Sequence, residues 1–262
     1  MWMAGEAHFA PKDNMAQHYF ITGVSAGIGK ALVEALCAKG HKVSGVARRQ
    51  DRLSELENAY DGFKGYACDV TNKDAIADVI TKAKAHFGAI DVLIPNAGIY
   101  IPDEPDKIDV LSFEKHMQVN YLATIYCLAD ILPDMKTRNK GHIALMASVA
   151  GYRGLPRSLA YGPTKAALIN LGEALRFDLA KSDIKIQIIC PGFVETEATA
   201  VNDFEMPDLI TAERAADEIL RGLQSSHFEI AFPKGFARKM KWLKFMSNDM
   251  YFSLVSKATK KR

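Results

Sequence analysis

The chain has 262 residues, of which 48% are hydrophobic and 24% charged, with 18 glycines and 10 prolines. A chain this long can bury a full core without metal or disulfide support, and its averages exclude collagen-like, low-complexity and wholly disordered classes. The formal net charge of +2 conceals an asymmetry: residues 234–262 carry nine Lys and Arg against one acidic residue, Asp249, so the preceding 233 residues hold 24 basic and 30 acidic groups, a net of −6. A body of that sign lacks the basic excess that phosphate neutralisation needs, so nucleic acid is not an expected partner.

Residues 1–14 lack the apolar run of a secretory signal and are expected to be a disordered extension ahead of a single catalytic domain over residues 15–233. The strand and helix patterns then alternate. A strand is predicted at His18–Thr22, a helix at Gly27–Lys39, a strand at His41–Ala47, a helix at Asp51–Asn58 and a strand at Phe63–Ala67. The rhythm continues with a helix at Asn72–Phe87, a strand at Asp91–Ile94, a long helical region at Asp109–Met135 and a strand at His142–Met146. A glycine- and proline-broken loop follows, then a helix at Tyr161–Lys181, a strand at Ile184–Ile189, irregular chain from Cys190 to Leu209, a helix opened by Thr211, and a last strand at Phe228–Phe232. The strands are almost wholly apolar, as parallel strands covered on both faces are, so the expected fold is three-layer α/β with a doubly wound parallel sheet. No run of eighteen apolar residues occurs. Cys37, Cys68, Cys127 and Cys190 form no Cys-x-x-Cys pair and have no His partner at ligand spacing, which predicts reduced core thiols, a cytoplasmic location and no metal site.

Directly after the first strand the chain reads Thr22-Gly23-Val24-Ser25-Ala26-Gly27-Ile28-Gly29 and enters a helix. Glycines between strand and helix allow a tight turn and bring backbone amides up to a pyrophosphate, whose charge the helix N-terminus favours. An NAD site commonly places a carboxylate about twenty residues further on; this chain has Arg48 and Arg49 there. Guanidinium forks match a 2′-phosphate, which predicts NADP(H) in preference to NAD(H), against the plainer reading of two solvated helix-start charges.

Ser148, Tyr161 and Lys165 carry the expected chemistry. A tyrosine and a lysine four apart on a helix share a face, and moving a phenol from about 10 to about 7 takes roughly 4 kcal/mol of preferential phenolate stabilisation, to which an ammonium contributes. Tyr60 and Lys64 have the same spacing, but Asp61-Gly62 between them marks a turn and no serine lies thirteen residues upstream.

With these motifs in order, the sequence resembles the short-chain dehydrogenase/reductase family from about Tyr19 to Thr196. Further matches are Asp69-Val70, Asn96-Ala97-Gly98, Asn120 and Pro191-Gly192-Phe193-Val194-Glu195-Thr196, with Pro95 where many members have a second asparagine. The resemblance implies a seven-stranded Rossmann-like domain, hydride transfer between a nicotinamide cofactor and a carbonyl or alcohol, and a homodimer or homotetramer built on the two long helices. It implies Tyr161 as general acid or base, Lys165 as phenol tuner and ribose ligand, Ser148 as substrate ligand and Asn120 as holder of a water that leads from Lys165 to solvent. It also implies cofactor contacts from Gly23, Ser25, Gly27, Ile28, Gly29, Asp69, Val70, Asn96, Ala97, Gly98, Pro191, Gly192, Val194 and Thr196. The substrate is expected against Ile99, Tyr100, Tyr152, Leu155, Phe193 and a lid over Glu197–Leu209, an apolar lining that suits a ketone or lipid-like alcohol. An NAD-dependent alcohol dehydrogenase and a catalytically idle NADP-sensing scaffold are the alternatives, with a nucleotide-sugar epimerase or dehydratase behind them.

The tail is a separate question. Phe236, Met240, Leu243, Met246, Met250 and Leu254 recur three or four apart among Arg238, Lys239, Lys241 and Lys244, which predicts a basic amphipathic helix in an extension over residues 234–262. Its apolar stripe packs on the domain or a second subunit, or lies on an anionic membrane with Trp242 and Phe245 at headgroup level.

Overall fold

The computed structural model describes residues 16–200 and 206–259. The expected extension over residues 1–14 and part of the expected lid, residues 201–205, lie outside the described residues. Seven strands form one parallel sheet: β1 (His18–Thr22), β2 (Lys42–Ala47), β3 (Phe63–Ala67), β4 (Val92–Ile94), β5 (Gly141–Met146), β6 (Ile184–Pro191) and β7 (Glu229–Phe232). Their spatial order is β3-β2-β1-β4-β5-β6-β7, so the direction of winding reverses between β1 and β4 and leaves a crevice at the carboxyl ends of those two strands. β4 ends immediately before Pro95, which has no amide proton to extend a ladder, and it pairs with β5 only through Val92 and Leu93. β6 runs on to Pro191, two residues past the expected end, because Cys190 and Pro191 continue to pair with Ala231 and Phe232 of β7.

Helices cover both faces. On one side α1 (Gly27–Ala38), α2 (Gln50–Ala59) and α7 (Ala212–Leu223) close over a core that includes Ile21, Leu32, Leu36, Leu53 and Ile219. On the other, α3 (Lys73–Phe87), α4 (Val110–Met117), α5 (Ala123–Arg138) and α6 (Tyr161–Asp178) lie over the sheet; Phe20, Ile80, Leu93, Ile131 and Leu168 belong to this second core. Completely burying one such leucine or isoleucine contributes about 1.5–3 kcal/mol, which is why two dense layers hold a sheet whose fourth strand has three residues. Local signals set the helix starts: Asn72 caps α3 by accepting from the Ala75 amide, Asp109 caps α4 at Leu111, and Thr211 caps α7 at Arg214. The expected Asp109–Met135 helix is helical from Val110 to Arg138, but Gln118–Leu122 forms a π turn that divides it into α4 and α5.

The tail is two helices, not one. α8 (Lys234–Leu243) buries Ala237 and Met240 in the second core, with Phe236 and Leu243 packed alongside, so the boundary expected after Pro233 divides no core. The chain then breaks, and α9 (Asn248–Thr259) follows with Tyr251 buried while Met250 and Leu254 of the expected stripe are exposed. Arg153 explains the break. Its Nη1 donates to the carbonyls of Leu243 and Met246 at 3.0 Å each, Nη2 donates to Asn248 Oδ1 at 2.6 Å, and the guanidinium lies 3.9 Å from the Tyr251 ring centroid. One cation thus takes carbonyls left open at the end of α8 and the first side chain of α9. Among the described residues no helix is long and apolar enough to cross a membrane.

Candidate active site

A cleft of about 910 Å³ opens at the carboxyl ends of β1–β6 and runs from Arg48 and Asp69 at one end to Tyr100, Leu155 and Phe236 at the other. Its floor at the first end is backbone. The chain leaves β1 through Gly23 (φ 74°) and Gly27 (φ 54°), left-handed values that favour glycine. Gly29 is required for another reason, since a Cβ there would lie 2.1 Å from the Gly23 carbonyl oxygen. Asn96 holds this turn by donating to the Thr22 and Gly23 carbonyls at 2.9 and 3.2 Å, and the Ala97 amide donates to Thr22 Oγ1 at 2.9 Å. Ala26, at the N-cap of α1, makes no side-chain cap bond, and the first turn of α1 has no acidic residue. A bare helix N-terminus behind a glycine-bounded turn fits a diphosphate, so the residues present suit a dinucleotide.

At the end of β2 Arg48 is exposed and Arg49 half-buried, and both line the cleft. Arg49 Nε and Nη2 donate to Ser25 Oγ at 3.1 and 3.0 Å, and Nη1 meets Glu197 Oε1 at 2.9 Å. Asp69 Oδ1 accepts from the amide and hydroxyl of Thr71 at 2.9 and 2.8 Å, contacts that hold its carboxyl below the usual range; the helix cap itself is Asn72. Ile28, Val70, Gly98, Pro191, Gly192, Val194 and Thr196 also line the cleft.

Ser148, Tyr161 and Lys165 are brought together by one tight contact. The short turn Val149–Gly151 rests on α6 so closely that a Cβ on Gly151 would lie 2.7 Å from the Lys165 carbonyl carbon. Ser148 opens that turn, accepting from the Ala150 amide at 3.1 Å and donating to the Pro191 carbonyl at 3.3 Å. Tyr161 is the first residue of α6, with Lys165 one turn on and its Nζ 5.6 Å from the Tyr161 ring centroid. The electrostatics differ from the expected lowered phenol. Burial pushes Tyr161 up to about 12, with the Ser148 hydrogen bond opposing it. Burial likewise pulls the Lys165 ammonium down to about 8, and that ammonium donates to the Met146 carbonyl at 2.8 Å. In the protein alone, desolvation sets the direction at both groups.

Asn120 is buried in the π turn, a distortion common at functional sites. Its Oδ1 accepts from the Ile99 amide at 2.8 Å and its Nδ2 donates to the Ile99 carbonyl and Thr164 Oγ1, at 3.0 and 3.2 Å, so the side chain ties the loop after Gly98 to α6. His116, which the sequence reading passes over, braces the same loop: Nε2 accepts from the Ile101 amide at 3.2 Å while Nδ1 lies 2.7 Å from the Ser112 carbonyl oxygen. A proton on Nδ1 satisfies both contacts.

The substrate end is only partly as expected. Tyr100 packs edge-on to Tyr161 with ring centroids 5.3 Å apart, and Leu155 and Phe193 line the cleft. Tyr152 does not: it is buried in the second core and its hydroxyl donates to Glu229 Oε1 at 2.5 Å, because the turn after Gly151 directs it toward β7. Its place is taken by Phe236 of α8, whose ring centroid is 5.6 Å from that of Phe193. Phe236 was legible as the first member of the tail's apolar stripe, but no pattern in the sequence directs it to the cleft.

The family model described as short chain dehydrogenase matches residues 17–205. An uncharacterized oxidoreductase of Myxococcus xanthus is 30% identical over 235 residues, covering 88% of this chain and 93% of that protein. A short-chain dehydrogenase from Streptomyces avermitilis superposes with a TM-score of 0.81 at 25% identity, covering 94% of this chain and 99% of that one. The structure titled ElxO with NADP bound gives a TM-score of 0.72 at 26% identity, covering 83% of this chain and 98% of that one.

Proposed function

The chain belongs to the short-chain dehydrogenase family and is an NAD(P)-dependent oxidoreductase, and from that premise we propose an NADPH-dependent reductase of carbonyl compounds, acting on an apolar ketone or the corresponding lipid-like alcohol. The observation that carries this reading is one cleft with Ser148, Tyr161 and Lys165 near its apolar end and Arg48 and Arg49 at the other. The cofactor, when bound, supplies or accepts the hydride at the substrate carbon. The chain's own residues manage the oxygen and its proton. Ser148 and Tyr161 hold the carbonyl oxygen between their hydroxyls, and Tyr161 passes its proton to that oxygen as negative charge develops there. Lys165 opposes the burial that keeps the phenol high and binds the nicotinamide ribose, while Asn120 holds the loop beside it and a water that returns a proton from solvent. Tyr100, Leu155, Phe193 and Phe236 exclude water from the reacting centre and favour an apolar substrate.

Titration of NADPH and NADH separately tests the cofactor assignment, with at least a tenfold preference for NADPH expected from charge-assisted contacts worth about 1.5–3 kcal/mol each. Equal affinities would instead favour an NAD-dependent alcohol dehydrogenase. Binding of NADPH without oxidation across a panel of ketones, aldehydes and steroids would favour an idle sensor. The assembly we infer is a cytoplasmic homodimer or homotetramer across the long helices α5 and α6, which light scattering checks.

Exposed Trp242 and Phe245, 73% and 79% accessible, favour a further contact. Trp242 projects from α8 and Phe245 from the turn after it, beside exposed Arg238, Lys239 and Lys244, a pairing of aromatic rings and cations that suits an anionic lipid surface, where a lipid-like substrate is found. Salt-sensitive co-sedimentation with anionic vesicles that Trp242→Ser/Phe245→Ser abolishes is the expected result. An intact chain that leaves vesicles in the supernatant at low salt removes the membrane from the reading.

A further inference from the structure

Arg49 joins three segments that are distant in sequence. One edge of its guanidinium, Nε and Nη2, is taken by Ser25 of the glycine turn, and Nη1 by Glu197, which follows Thr196 in the segment after β6. The stem that presents Glu197 is well fixed: Thr199 Oγ1 donates to the Val194 carbonyl at 2.6 Å and accepts from the Thr196 amide at 3.0 Å. Thr196 also presses on the glycine turn, its Cγ2 lying 2.8 Å from where a Cβ on Gly27 would stand. A carboxylate therefore stands on the guanidinium that the sequence offers to a 2′-phosphate.

Resting on the reading of Arg49 as the phosphate ligand, we propose that Glu197 sets cofactor selectivity by competing with the adenosine 2′-phosphate for Arg49. A phosphate monoester carries close to two negative charges and the carboxylate one, so both cannot share one guanidinium without repulsion. The pair is exposed, with 40% and 67% of the two side chains accessible, and exposed pairs hold weakly. The phosphate therefore displaces Glu197, at a cost that a cofactor lacking the phosphate does not meet. Discrimination between the two cofactors is therefore smaller than Arg48 and Arg49 alone would produce.

Adenosine 2′,5′-bisphosphate and adenosine 5′-monophosphate differ only at the 2′ position, so calorimetric titration of both isolates the contact without turnover. Glu197→Gln should tighten the bisphosphate about fivefold, the factor for an exposed ion pair of about 1 kcal/mol, and leave the monophosphate within about twofold. In an Arg49→Gln background the same change should lose most of its effect. If wild type prefers the bisphosphate but Glu197→Gln does not strengthen that preference, the competition is wrong and the phosphate site stands. If wild type binds both equally, the phosphate site fails and the competition with it. Circular dichroism confirms that each variant is folded, and Glu197→Ala repeats the measurement where Gln retains a contact to Arg49.

Discussion

The two ends of the cleft are built on different principles. The cofactor end is a surface of backbone, where Gly23, Gly27 and Gly29 are defined by what they lack and Asn96 holds the turn from the next strand. The substrate end is a surface of side chains, with Tyr100, Leu155, Phe193 and Phe236 arriving from three loops and helix α8. A methyl group is intolerable at the first end, whereas aromatic and aliphatic side chains meet by simple packing at the second. The first end suits an invariant ligand and the second a variable one.

Substitutions at each end sharpen that contrast. The largest effect belongs to the junction: Tyr161→Phe should lower the turnover of a reduced substrate by about 10²- to 10⁴-fold in steady-state assays while cofactor affinity holds, because one proton donor is lost and no packing. Tyr60→Phe, at the other Tyr-x-x-x-Lys spacing, should leave the rate within about twofold, since Tyr60 stands far from the cleft at the end of α2. Next comes the backbone surface. Gly29→Ala forces a methyl onto the Gly23 carbonyl and should cost about 3 kcal/mol in chemical denaturation, along with cofactor binding. Gly154→Ala, with nothing within 4 Å of the added methyl, should change stability by no more than about 0.5 kcal/mol, and equal losses in the two variants would dissolve the distinction. The smallest effect is a pH step. Lys165 is charged below about 8 and loses its proton above it, so cofactor affinity should fall as pH rises through that value, by at most about tenfold per unit. Lys165→Met should bind weakly at every pH and show no step; a step that persists in the variant assigns it to another group.

The sequence displays the cofactor end well because every element of it follows a strand directly: the glycine turn after β1, the arginines after β2, Asp69 after β3 and Asn96 after β4. Local periodicity places such residues without knowledge of the rest of the chain. It fails where the deciding contact is remote or depends on burial. The break between α8 and α9 is set by Arg153, some ninety residues earlier in the chain, and heptad-like spacing carries no trace of it. Tyr152 leaves the cleft because Glu229 of β7 accepts its hydroxyl. The spacing of Tyr161 and Lys165 shows that they share a helix face, yet it says nothing of the desolvation that raises one and lowers the other. The π turn that carries Asn120 has the same residue types as ordinary helix.

Phe236 closes the cleft from a helix added after the last strand is complete, and Arg153, five residues past Ser148, anchors the far end of that helix. Ser148, Tyr161 and Lys165 thus come from one stretch of chain and this outer wall of the cleft from another. Under the reading proposed above, the sheet and α6 set the reaction and α8 bounds the substrates that reach it. Exchange of residues 234–259 would thus change the wall that Phe236 supplies while Tyr161, Lys165 and the glycine turn stay untouched.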